Sequence, residues 1–216
     1  MQIDGTRYWN AVLCMAQCIG ECGDYVTALD AATGDGDHWV NLNMGYAALL
    51  ERAEEICELA LPEQFQAIAR VFMTAIGGSS GILYASAYLS AAKQIAGKSA
   101  IMVRELVEVL DAMADGIMRR GRSQPGDKTM VDAIVPAAEA MRRAAVVGAA
   151  RERELLLAMK QGAAAGAEQT RNMPAVRGRA FYQADKGVGH LDPGAVTMSY
   201  QLAALADSLL SELENG

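Results

Sequence analysis

Apolar residues recur at intervals of three and four through most of the chain, the spacing that gathers one stripe on one face of an α-helix. Trp9, Val12, Leu13, Ala16 and Ile19 mark the first such segment, which the pattern predicts from Thr6, as N-cap, to about Asp30. A second helix is expected from about His38 to Leu59, and Pro62 breaks the chain before a third whose stripe is Phe65, Ile68, Ala69, Phe72 and Ile76. Gly77 and Gly78 stop it. A fourth opens in Gly-Gly-Ser-Ser-Gly and passes through Tyr84, Tyr88 and Leu89 to about Ile95, and Met102, Leu106, Leu110, Met113 and Ile117 carry a fifth to about Arg120. The sixth begins near Asp127 or Lys128, carries Met130, Ile134, Val135, Ala138 and Met141, kinks at Pro136 and ends at Gly148. A seventh covers about Arg151 to Thr170. Asp192 as N-cap and Pro193 behind it start the eighth, which runs through Leu202, Leu205 and Leu209 to about Leu213.

Eight helices of similar length joined mostly by short turns predict an up-and-down antiparallel arrangement. The exception is 171–191, a long stretch without a clear period, of the kind that serves as a lid or binding loop. In an up-and-down array the first, third, fifth and seventh junctions share one end. Those junctions hold an acidic turn, Gly-Gly-Ser-Ser-Gly, the Gly121–Thr129 loop and the long basic loop, so every unusual segment falls on one face.

Composition narrows the class. Apolar residues make up 52% of the 216 and aromatics only 6%, which favours close-packed helices over sheets and a single all-α domain spanning 1–216. A formal charge of -7 with no run of Lys or Arg argues against nucleic acid or an anionic membrane as partner. No leader precedes the first periodic segment, and no stretch of about 18 apolar residues occurs, so a cytoplasmic protein is expected. Cys14, Cys18 and Cys22 fall at i, i+4 and i+8, with Cys57 apart; lacking a fourth ligand to close a tetrahedral site, they read as half-buried thiols.

The chemistry is concentrated in Leu29–Gly45, where Asp30, Asp35 and Asp37 cluster around a Thr-Gly-Asp-Gly turn. Like charges held close repel, so such a cluster calls for a cation, and all-oxygen ligands suit Mg2+ or Ca2+. The spacing is not that of an EF-hand. Gly77–Gly81 opens a helix, and free N–H groups at a helix start form an anion site to which Ser79 and Ser80 can add hydroxyls. It is not a Walker A loop, because no Gly-Lys-Ser/Thr follows. Arg171, Arg177, Arg179 and Lys186 make the long loop basic, with His190 and Asp192 at its end. His38 and His190 sit in glycine-rich turns and not on apolar stripes. Metal carboxylates, an anion cradle and a basic lid on one face describe a nucleoside polyphosphate site. The residues alone do not name an acceptor.

The segments GDGDHWVNLNMG, GGSSG, GRSQPGDKTMVD and GRAFYQADKGVGHLDPGA, in that order, resemble the nucleotide-binding (L) subunits of dihydroxyacetone kinases over nearly the whole chain. The resemblance implies a barrel of eight antiparallel amphipathic helices with the nucleotide, ADP or ATP, and two Mg2+ ions at one rim. It implies that Asp30, Asp35 and Asp37 ligate the metals, and that His38, Asn41, Ser79 and Ser80 contact nucleotide or phosphates. Gly121 and Met130 would border the adenine, while Arg179, a charge stabiliser, and Asp192 come from the closing loop 171–191. Two places depart from the pattern: Trp39 stands where a small residue is usual, and Ala-Phe-Tyr-Gln-Ala-Asp follows Gly178-Arg179 in place of small polar residues. Both are expected to reshape the rim that faces a partner.

The same resemblance implies a kinase subunit active only with partners: a K-type subunit that holds dihydroxyacetone, and an M-type phosphocarrier of the phosphotransferase system that recharges bound ADP. Two other readings remain open, an L-type subunit serving another small sugar or polyol and a nucleotide-binding regulatory module.

Overall fold

Asp4 turns the chain into its first helix. Residues 2–4 form a short strand, β1 (Gln2–Asp4), and the Asp4 carboxylate accepts the Arg7 N–H at 3.0 Å to cap α1 (Gly5–Glu21), so Thr6, expected as the cap, lies inside the helix. In this computed structural model, which describes residues 1–146 and 151–215, the expected stop at Gly148 lies outside the described residues. β1 pairs antiparallel with β2 (Ala100–Met102), Ile3 opposite Ile101. This two-stranded sheet is absent from the all-α reading. Three-residue strands are too short to show an alternating pattern.

The rest is helical: α2 (Gly23–Thr33), α3 (His38–Leu50), α4 (Ala53–Ile56), α5 (Leu61–Ala75), α6 (Ser80–Gln94), α7 (Leu106–Gly121), α8 (Val131–Val146), α9 (Glu152–Gln169) and α10 (Pro193–Asn215). The expected first helix is thus divided at Cys22, whose φ of -93° and ψ of 11° leave the helical region. The expected second is divided between α3 and the single turn α4. Pro136 sits within α8, and α8 starts at Val131, a turn later than expected, because residues 122–130 are spent on a loop. Asp192 does cap α10 as the sequence predicts, accepting the Ala195 N–H at 2.7 Å.

Helices adjacent in sequence pack in space: α5 on α6, α6 on α7, α7 on α8, α8 on α9 and α9 on α10, while α1 touches both α3 and α10 and α3 touches α5. The packing therefore returns from the last helix to the first. Aromatic rings fill its inside, with Tyr8 against Phe65 at 4.6 Å, Tyr46 against Phe72 at 5.4 Å and Phe72 against Tyr84 and Tyr88 at 5.7 Å between centroids, all edge-on. Fully burying each contributes roughly 1.5–3 kcal/mol. The phenols are paired: Tyr8 with Tyr88 at 3.1 Å, and Tyr46 and Tyr84 each with Gln201 at 2.7 Å. A gap of about 30 Å³ remains beside them. Among the described residues no helix is long and apolar enough to cross a membrane.

Candidate functional site

The acidic turn joins α2 to α3. The Gly34 N–H closes on the Asp30 carbonyl at 2.5 Å, and the chain reverses through Gly36 in the left-handed region. Asp30 is 7% exposed and its Oδ2 accepts the His38 N–H at 3.0 Å. A side chain at position 34 would put its Cβ 2.5 Å from Asp30 Oδ1, so glycine is what admits that carboxylate. Asp35 and Asp37 are exposed beside it, and one oxygen from each of the three lies within 4.8 Å of the others. This is the one such group of potential ligands among the described residues; the four cysteines are free and form none. Few, all-oxygen, partly open ligands fit Mg2+, which keeps water or phosphate oxygens in its remaining positions. Arg179, from the long loop, meets Asp35 Oδ2 at 2.5 Å and offsets part of the repulsion.

Across the cleft, α6 begins at Ser80 directly after Gly77–Gly78. Ser79 occupies the cap position without using its side chain to cap, which leaves the first-turn N–H groups and both hydroxyls available to an anion. Asn41 reaches from α3 toward this turn: a Cβ at Gly77 would stand 2.5 Å from Asn41 Oδ1.

The third wall is the loop from Gly121 to Met130. Arg122 and Lys128 both adopt positive φ, 50° and 62°, conformations that cost a non-glycine residue energy unless the surroundings hold them. Asp132 is such a holder, its two oxygens accepting the Gly126 N–H at 2.5 Å and the Thr129 N–H at 2.7 Å. Burial raises its pKa against those hydrogen bonds.

Lys128 is 2% exposed, and its Nζ donates to the carbonyls of Thr170 at 2.6 Å and His190 at 2.5 Å. Those two residues stand at the start and end of the long loop. Beside them Asp192 N–H donates to Thr170 Oγ1 at 2.9 Å, and Gly189 N–H to the Arg171 carbonyl at 2.7 Å. Burial pushes Asp192 up to about 7, resisted by the Ala195 N–H and Lys128 and reinforced by the charges of Asp132 and Asp30. Burial also lowers the pKa of Lys128 and of His38, with Asp30 and Asp37 pulling His38 back up.

All these walls enclose one cleft of about 590 Å³. Asp30, Asp35, Asp37, His38, Asn41, Ser79, Ser80, Gly121, Met130, Arg179 and Asp192 all line it. The parity of the helices had placed their segments at one end. Three other groups stay outside the cleft's lining: His190 is exposed and meets Lys128 through its carbonyl, Arg171 pairs with Glu168 at 2.8 Å, and Lys186 stacks over Phe181 at 5.2 Å. Trp39 does not line the cleft either. Its indole turns inward, with Nε1–H donating to the Ile19 carbonyl at 2.7 Å. Lys128 lines the cleft and was not predicted there; the signal available was a lone lysine in a Pro-Gly-Asp-Lys-Thr turn between two residues, Gly121 and Met130, already placed at the site.

Residues 32–207 match the DAK2 domain family. The chain is 32% identical, over 86% of its length and 91% of the relative's, to the ADP-binding subunit DhaL of the PEP-dependent dihydroxyacetone kinase of Escherichia coli K12. It is likewise 32% identical, over 96% and 98%, to the ADP-binding subunit DhaL of the PTS-dependent dihydroxyacetone kinase of Lactococcus lactis. The crystal structure of the dihydroxyacetone kinase from C. freundii in complex with AMP-PNP and Mg2+ superposes with a TM-score of 0.71 at 25% identity, covering 93% of this chain. This chain spans 33% of that longer one.

Proposed function

We propose a function from the premise that this chain belongs to the DAK2 domain family, and with it to the dihydroxyacetone kinases: it is the ADP-binding, phosphoryl-donating subunit of a multi-subunit kinase. The observation that carries this is the meeting of three carboxylates, a glycine-serine helix start and an arginine-bearing loop in one cleft. Each of the three suits a different part of a metal-bound nucleoside diphosphate or triphosphate. The return of the helix packing from α10 to α1 supports reading the fold as a closed barrel of eight long helices, with α2 and α4 as continuations, and the whole chain as one domain.

In this reading Asp30, Asp35 and Asp37 hold two Mg2+ ions. Ser79 and Ser80, with the N–H groups of the first turn of α6, hold phosphate oxygens, and His38 and Asn41 complete that wall. Gly121 and Met130 border the base. Bound Mg2+ supplies neutralisation of the charge on the phosphates during transfer. Arg179 adds a second positive group on the open side, and Asp192 fixes the end of the closing loop. Among these residues no group is placed to hold a small hydroxyketone covalently, so the acceptor, dihydroxyacetone, is presented by a K-type subunit at the open mouth of the cleft. The chain's contribution is positioning and charge. Relatives named as PEP- and PTS-dependent favour recharging of bound ADP by an M-type phosphocarrier over exchange with free ATP, in a cytoplasmic setting.

The test is transfer to dihydroxyacetone by the reconstituted subunits with Asp35→Asn. Loss of transfer and of nucleotide retention is expected; full transfer would refute the assignment. Mass spectrometry of the natively purified protein separates the donors, since tightly held, non-exchanging ADP supports the phosphocarrier and rapid exchange supports ATP.

A further inference from the structure

His38 is held from two sides. Its backbone N–H goes to Asp30, and its ring Nε2 stands 2.9 Å from Thr197 Oγ1 on α10. Thr197 is fully buried, and the same oxygen lies 3.1 Å from the Pro193 carbonyl and 3.2 Å from that of Gly194. A hydroxyl has one proton to give. Given to His38, it leaves the threonine oxygen facing two carbonyl oxygens with no hydrogen between them. Given back to the two carbonyls, which share it, it leaves the short contact with His38 to be filled by a proton on Nε2, while the Tyr84 hydroxyl, which also bonds the Thr197 side chain and already accepts from Gln201, brings its own hydrogen to that contact. The arrangement has little freedom to change, because one turn on Gln201 donates to both the Thr197 carbonyl, at 2.9 Å, and the Tyr84 hydroxyl, and accepts from Tyr46. A fully paired buried network of this kind fixes its members.

We infer that Thr197 is a positioning residue that fixes the His38 ring in its Nε2–H form and presents an unprotonated Nδ1 to the cleft. Nδ1 has no hydrogen-bond partner among the described residues. As an acceptor it takes a donor group of the ligand, a ribose hydroxyl, a base amino group or a metal-bound water, and leaves the phosphate oxygens to the α6 start and Arg179. This second step deepens the nucleotide-site reading and rests on it; the tautomer is a property of the ligand-free chain.

The test is the long-range correlation of ring nitrogens with carbon-bound ring protons in 15N-labelled protein at about pH 8, where an ordinary histidine is neutral. The chain has two histidines, so His190→Gln assigns the spectrum. A pyrrole-type Nε2 and a pyridine-type Nδ1 are expected for His38, unchanged in Thr197→Ser and lost to a mixture or the opposite form in Thr197→Val. In parallel, Mg-ADP binding is expected to weaken about tenfold in Thr197→Val and to stay within about twofold in Thr197→Ser. A protonated Nδ1 in the unaltered protein, or a Thr197→Val spectrum identical to it, overturns the inference. Protein that shows the Nε2–H form yet binds no Mg-ADP supports the tautomer and sinks the nucleotide reading instead.

Discussion

Arg179 Nη2 lies 2.5 Å from Asp35 Oδ2, so the long loop's arginine occupies a carboxylate that the proposed metal also needs. The pair is exposed, Arg179 at 66%, and such pairs contribute only about 0–1 kcal/mol. A divalent cation can displace it at small cost, after which the arginine is free to face a phosphate. Arg179→Ala is therefore expected to bind Mg2+ alone about 2–5-fold more tightly and Mg-ADP more weakly. Calorimetric titration with each ligand checks both signs, and two unchanged affinities would remove Arg179 from the site.

Lys128 ties both ends of the long loop through two carbonyls. Lys128→Met keeps the stem and removes the donors, which strands the Thr170 and His190 oxygens. A destabilisation of about 2–4 kcal/mol is expected in urea unfolding, along with faster tryptic cleavage after Arg177 and Arg179 in the native protein. A variant with unaltered stability and cleavage would show that Lys128 does not anchor the loop.

The parts of this site that the sequence exposed are the parts that are local. Asp30, Asp35 and Asp37 lie within one turn, Ser79 and Ser80 open one helix, and the alternation of helix direction brings the two turns together without knowledge of any contact. The contacts of Lys128 and Thr197 and the direction of the Trp39 indole escaped for a common reason. Each side chain acts on residues 20 to 159 positions away, and nothing in helical periodicity marks a threonine on a buried stripe as a partner for a distant histidine. The sheet escaped because β1 and β2 are three residues each.

Asp192 gives a pH dependence with a defined sign. Its folded pKa of about 7 lies above the ordinary 3.8, so the folded state binds its proton more tightly than the unfolded chain. The stability this lends is fully present below about pH 4 and is lost as pH rises to about 7. Asp192→Asn keeps an oxygen to accept the Ala195 N–H and cannot ionise. Measured in EDTA without nucleotide, the difference in melting temperature, original minus Asp192→Asn, should fall steadily from about pH 4 to 7 and level off above about pH 8. Titrating groups that do not interact with Asp192 cancel in that difference. A difference independent of pH would mean that Asp192 ionises as an ordinary carboxylate.

Trp39 and Gly23 make the sharpest test of how the acidic turn is aimed. The helix breaks at Cys22, the Ile19 carbonyl takes the indole N–H, and the indole lies over Gly23, where a Cβ would stand 2.9 Å from two of its ring carbons. In an open helix, glycine to alanine is worth roughly 0.5–1 kcal/mol in favour of alanine. Here the ring should reverse that sign, because it is pinned by its hydrogen bond and cannot yield. Trp39→Phe alone should cost about 1 kcal/mol for the lost bond, and more if the smaller ring leaves space. In the Trp39→Phe background that space accommodates the new methyl, so Gly23→Ala should become neutral or stabilising. Denaturant unfolding of the four proteins gives the coupling directly; simple additivity would mean that the ring and the glycine do not hold the break together. Since Trp39 directly follows His38 and sits two residues from Asp37, Gly23→Ala should also weaken Mg-ADP binding, and Trp39→Phe added to it should restore part of the loss.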